Sequence, residues 1–170
     1  MKKLTLLFCA FLFCVHMSQA QTDAELGVLS IGLVVSDLEA SERFYKEIIG
    51  MEEVRQFSLD EKWADDAGAS NGKPFSVKML KQKNLPSATI LKLAYFDQMD
   101  KKPDMSGVDV NAGVNYLTFS YGADDFEAVV KRIEAAGIEK MGWVSRDRYR
   151  LFFIKDPDGV FVELFGPPEK

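Results

Sequence analysis

The sequence predicts an α+β fold made of two consecutive strand–helix–strand–strand–strand units. Three observations lead there. Short runs rich in β-branched and aromatic residues recur along the chain, as strands require. Two stretches, Leu38 to Ile49 and Asp125 to Ala136, space their apolar residues for one face of a helix. The order of these elements before residue 97 is repeated after residue 113, a degenerate repeat of about 60–70 residues. Such an order places helices on one side of a largely antiparallel sheet.

The chain has 170 residues, the length of one domain, but its start stands apart. Lys2 and Lys3 form a basic lead, and Leu4 to Val15 is apolar yet short for a membrane span. Ser18-Gln19-Ala20 then offers small residues where a signal peptidase reads. Residues 1–20 read as a secretory signal cleaved after Ala20, with a secreted or periplasmic destination and no membrane attachment once it is removed.

Cleavage removes Cys9, Cys14 and His16, so the mature chain holds no thiol and no imidazole. A Cys/His zinc site, a Ser-His-Asp triad and a cysteine nucleophile are excluded. Loss of Lys2 and Lys3 leaves 19 basic residues against 26 acidic ones, a net of −7. Nucleic acid is a poor partner for that balance.

The elements follow in order. Leu29 to Val35 is a strand, and Ser36-Asp37 supplies capping oxygens for a helix from Leu38 to Ile49. Gly50 stops it. Glu52 to Leu59 is a strand, and Asp60 to Pro74 reads as a polar loop carrying Trp63. Asp65, Asp66 and Asn71 in that loop lack the spacing of a calcium-binding hand. Phe75 to Lys81 and Ala88 to Phe96 are strands that complete a first unit over 27–97. Residues 98–113, with Lys101-Lys102-Pro103-Asp104, read as a linker. A second unit over 114–168 begins with the strand Val114 to Tyr121 and the helix Asp125 to Ala136. In that helix Phe126, Val129, Val130 and Ile133 share a face, and Gly137 ends it. Glu139 to Val144 is the next strand, and a hairpin closes the chain.

That hairpin joins Tyr149–Lys155 to Val160–Phe165 through Asp156-Pro157-Asp158-Gly159. Proline pre-sets a turn and glycine supplies positive φ. Glu163 is the only charge in its strand. Burying it unpaired is too costly, so it faces water, a cation or a binding cavity.

The stretches "LSIGLVVSDLEASERFYKEIIG", "DDFEAVVKRIEAAG" and "LFFIKDPDGVFVELFGP" resemble the vicinal oxygen chelate superfamily, which includes glyoxalase I, extradiol dioxygenases and the fosfomycin and bleomycin resistance proteins. The resemblance spans roughly residues 27 to 168. It implies two βαβββ modules forming curled mixed β-sheets around a cavity, with helices on the outer face. It also implies metal ligands on the first and last strands of each module. Those positions fall here on Ser30, Lys92, Tyr116 and Glu163, and only Glu163 matches the usual ligand type. Iron oxygenases of this kind use two imidazoles and a carboxylate, so the resemblance implies the cavity more than the metal chemistry.

The candidate site residues carry alternatives. Lys92 replaces the metal's charge beside Glu163, or extends into solvent. Tyr116 donates to a ligand, or is an ordinary strand aromatic. Ser30 hydrogen-bonds a ligand, or simply begins a strand. Alternation puts Gly32 and Val34 with Ser30, Thr118 with Tyr116, and Phe161 with Glu163. Arg146, Arg148 and Arg150 fall on one face, suited to an anionic ligand or to a solvated edge, and Arg150 is the ligand-binding candidate among them. Trp63 and Trp143 cap a pocket or pack internally.

The leading expectation is an exported protein that binds a small organic molecule in its sheet cavity without cofactor or the usual metal. A lyase- or isomerase-type enzyme with Glu163 as base is the second, with or without a divalent ion held there by oxygen ligands. A protein-interaction module is the third. Homodimerisation is compatible with all three, because modules of this superfamily pair within or between chains.

Overall fold

The computed structural model describes residues 27–169 apart from 98, 103–104 and 111. The expected signal segment and part of the expected linker lie outside the described residues.

Two four-stranded mixed sheets and three helices make up the fold, and no barrel closes. The first sheet contains β1 (Ser30–Val35), β2 (Glu52–Leu59), β3 (Phe75–Lys81) and β4 (Ile90–Tyr95) in the order β1-β4-β3-β2. The second contains β5 (Tyr116–Ser120), β6 (Met141–Arg146), β7 (Tyr149–Lys155) and β8 (Phe161–Gly166) in the order β5-β8-β7-β6. In each sheet the first strand runs parallel to the last, from Ser30↔Ile90 and from Tyr116↔Phe161, and the other pairs are antiparallel. The βαβββ modules anticipated from element order are therefore present. Among the described residues no helix is long and apolar enough to cross a membrane.

Helix α1 (Leu38–Arg43) is capped by Asp37, whose carboxylate accepts the Ala40 N–H at 3.0 Å. It continues into a π-helical turn (Phe44–Ile48), closed by Ile49 N–H on the Phe44 carbonyl at 3.1 Å. Gly50 stops the helix at φ 88, where a Cβ would be strained. The carbonyls left over at this end are satisfied by the second module. Arg132 Nε donates to Ile48 O at 2.8 Å, and the Tyr121 hydroxyl donates to Ile49 O at 2.9 Å.

Helix α3 (Ala123–Ala135) buries Phe126, Val129, Val130 and Ile133, the face anticipated from their spacing. These join Tyr45, Ile49 and Leu93 of the first module and Phe119, Phe152 and Leu164 of the second in one continuous core. That core lies on the side of the two sheets that carries α1 and α3.

Residues 60–74 depart from the polar loop expected of them. They open with helix α2 (Glu61–Ala67), capped by Asp60 on the Trp63 N–H at 2.8 Å and ended by Gly68 at φ 68. Only Ala64 is buried within it, so the segment carries no apolar stripe to announce a helix. Trp63 packs edge-on against Phe75 at 5.9 Å, on the face of the first sheet turned away from the core. Trp143 stacks on Phe152 at 5.4 Å.

The closing turn fastens the modules together. Asp156 accepts the N–H groups of Asp158 at 2.9 Å and Val160 at 2.8 Å, and the Tyr45 hydroxyl at 2.8 Å. Burial pushes the Asp156 carboxyl up from its ordinary range, against the pull of these donors. Burial first, then the Asp156 charge, raises the Tyr45 phenol well above its usual value, so it stays a donor. Asp158 reaches across to the end of β1, where it accepts the Ser36 N–H at 3.1 Å and the Ser36 hydroxyl.

A charge cluster ties α1 to β3. Glu42 accepts from Lys78 at 2.5 Å and from Lys46 at 2.9 Å. Hydrogen bonds from Lys78 and then Lys46 pull the Glu42 carboxyl from 4.5 down to about 2. A carboxylate held lower in the folded state stabilises it above pH 4.5, and that contribution is lost as pH falls from 4.5 to about 2. Glu42→Gln is expected to flatten the stability–pH profile within that window, read from urea midpoints. Equal acid slopes in the two proteins would contradict this.

Candidate functional site

Strand alternation sets the site. Leu117, Phe119, Val162 and Leu164 point into the core. Tyr116, Thr118 and Ser120 of β5 therefore share the face turned away from the core with Phe161, Glu163 and Phe165 of β8. Thr118 stands directly opposite Glu163 in the parallel register, and its hydroxyl donates to the carboxylate at 2.5 Å. Phe153 of β7 is Glu163's partner on the other side. Tyr116 is 48% exposed and meets Phe153 edge-on at 5.8 Å. Glu163 is half-buried, and no ion pair engages it among the described residues.

Beside this face lies a cavity of about 890 Å³ between the outer edges of β1 and β5. Ser30 and Gly32 line one wall, Tyr116 and Thr118 the other. Leu29, Leu85 and Val114 add apolar surface, and Gln82 and Lys83 add polar groups. Gln82 Nε2 donates to Ser120 O at 2.9 Å, which ties the loop after β3 to β5. Gln82 and Lys83 were not among the residues singled out from sequence. They sit in a hydrophilic connection, and no motif marks them.

Of the seven candidates, the cavity gathers Ser30, Tyr116 and Thr118. Glu163 stands behind Thr118, one strand from the cavity. Lys92 faces away from the core on β4, opposite Gly32 and Met79. Among the described residues no ion pair joins Lys92 to Glu163, which stand on different sheets. Phe161 is only 4% exposed. The Lys155 ammonium lies 5.1 Å from its ring centre and donates to Met105 O at 2.7 Å, so the ring is covered.

Arg150 needs a larger correction. It lies on the helix side, 5% exposed, with its guanidinium 2.8 Å from Glu127, over the Phe126 ring at 4.8 Å, and donating to Pro167 O at 2.9 Å. It braces α3 against β7 instead of facing a ligand. Nor do the three arginines share a face, since Asp147 and Arg148 form the turn between β6 and β7.

The sequence model of the glyoxalase/bleomycin resistance protein/dioxygenase superfamily matches residues 27–164. The chain belongs to this superfamily. A curated relative, a probable lactoylglutathione lyase of Vibrio cholerae, is 26% identical over 140 residues, covering 81% of this chain and 88% of that protein. A glyoxalase family protein from Bacillus cereus superposes with a TM-score of 0.70 at 18% identity, over 91% of this chain and 100% of the other. A glyoxalase/dioxygenase from Nostoc punctiforme gives 0.59 at 28% identity, over 84% and 91%.

The metal of the superfamily's enzymes does not fit this glyoxalase-like chain. Its only histidine is His16 and its only cysteines are Cys9 and Cys14, all before the matched region. No group of three acidic, histidine or cysteine side chains that could hold an ion occurs among the described residues. Among the described residues the side-chain bond to Glu163 comes from a hydroxyl, which is a poor substitute for imidazole toward iron, nickel or zinc.

Proposed function

We propose that this protein is an exported binder of a small organic molecule, held in the cavity between β1 and β5 without a histidine-ligated metal. The cavity itself carries the reading. Its volume of about 890 Å³ suits a drug-sized ligand, and its walls are apolar with a few polar groups at defined places. Export rests on residues 1–20, and a mature amino terminus at Gln21 in protein from the source cell tests it.

A second reading draws on the Vibrio relatives, each described as a probable lactoylglutathione lyase. Glu163 would then act as a base, with one oxygen occupied by Thr118 and the other open to substrate. Turnover of a glutathione hemithioacetal by the purified protein would favour this reading over simple binding.

Gly32 provides the discriminating variant. A Cβ added there meets nothing within 4 Å, so a larger side chain extends into open space. Titration with the neutral dye Nile red should show saturable binding to the wild type. Gly32→Phe is expected to weaken it by about tenfold or more with little change in melting temperature. Equal dye affinity in both proteins would place the binding elsewhere, and no saturable binding would overturn the reading.

A further inference from the structure

We infer that the ligand of this site is an organic cation: a protonated or quaternary amine carried on an apolar body. The inference rests on the binding role proposed above and adds the charge of the ligand.

Glu163 is a half-buried carboxylate with one side-chain hydrogen bond among the described residues, from the neutral hydroxyl of Thr118. A partly hydrated carboxylate with no ion pair among the described residues offers a place for a counter-charge. Lys155, on the same face, has its ammonium over Phe161 and donates to Met105 O. Lys92 is on the other sheet. The charge is thus left for a ligand to neutralise.

The surroundings favour an organic cation over a hydrated metal ion. Tyr116 and Phe153 flank Glu163 edge to edge, and Phe165, two residues along the same strand, stacks on Tyr149 at 5.5 Å. Ring faces attract weakly hydrated cations such as alkylammonium groups. The exposed ring of Tyr116 lines the cavity as well as bordering Glu163, so it joins the two. A molecule seated there would place its apolar body against Leu29 and Val114 and its cationic end toward Glu163. The net charge of −7 left after loss of the first twenty residues would draw such a ligand in.

Two probes of equal shape isolate the charge: benzyltrimethylammonium and its neutral isostere neopentylbenzene, each titrated by displacement of Nile red and the cation also by calorimetry. The cation is expected to bind about tenfold tighter than the isostere, with a preference that shrinks as salt is raised. In Glu163→Gln the amide oxygen can still accept from Thr118, and the preference is expected to fall to near unity. Equal affinities in the wild type, or a preference that survives Glu163→Gln in a protein with native circular dichroism, would overturn the inference. Dye binding without cation preference would sink this inference alone. Failure of both dye and cation to bind would sink the binding role with it.

Discussion

Asp158→Ala is expected to lower stability by about 3 kcal/mol, because it removes a charged acceptor and strands the donors that met it. Asp158 is 4% exposed, and no ion pair engages it among the described residues. Its carboxylate is met by the Ser36 N–H, the Ser36 hydroxyl and, at 3.5 Å, the hydroxyl of the fully buried Ser41. Alanine offers none of these an acceptor. The residues joined are 122 apart in sequence, so the contact links the first module's strand–helix junction to the second module's last turn. Urea denaturation measures the loss. Asp158→Asn keeps one acceptor oxygen and should recover a substantial part of it. A loss below about 1 kcal/mol in the alanine variant, the size of one ordinary hydrogen bond, would show that the latch has little weight.

Gly166→Ala is expected to cost up to about 3 kcal/mol, by overpacking. Gly166 ends β8 directly beneath α3, and a Cβ built there falls inside the contact distance of the Phe126 ring. That ring cannot step aside. It is fully buried, with Phe152 at 6.0 Å, Trp143 at 6.2 Å and the Arg150 guanidinium over it. The helix must therefore lift from the sheet or the strand must bend. Phe126→Leu should relieve the clash, so the double variant is expected to be more stable than the sum of the single effects allows. A double-mutant cycle from denaturant midpoints measures that coupling. Strict additivity would contradict the assigned contact.

How far the sequence discloses this structure depends on where the deciding contacts lie. The bounds of β2, β3 and β7 coincide with those read from sequence, since each is a run of strand-forming residues between turn signals. The hairpin turn is equally local: proline, glycine and an aspartate that bonds its own neighbours define it. Alternation puts Thr118 with Tyr116 and Phe161 with Glu163, and the register of β5 on β8 brings the two pairs to one face. Other features depend on what each face meets. Arg150 has the pattern of an exposed arginine, and only the approach of α3 reveals its guanidinium as a brace. Lys92 and Glu163 occupy corresponding places in their modules, but their separation depends on how the two sheets sit together. Phe161 loses its access through Lys155 and the backbone of Met105, a contact with the segment read as a linker. Helix α2 has capping residues at both ends and no apolar stripe, so periodicity passes over it.

The edges of β1 and β5 have a further consequence for whatever enters between them. Each strand is paired on one side only, with β4 and with β8. Half of the main-chain amides and carbonyls of each edge are therefore directed outward, as on any border strand. Here those borders are walls of the cavity. The pocket is thus framed by peptide groups in a fixed row, whose spacing belongs to the backbone and survives substitution of the side chains around it. Mutation can remodel the apolar and charged surface of the site while leaving this framework intact, so one scaffold could accept a change of ligand without rebuilding its polar frame.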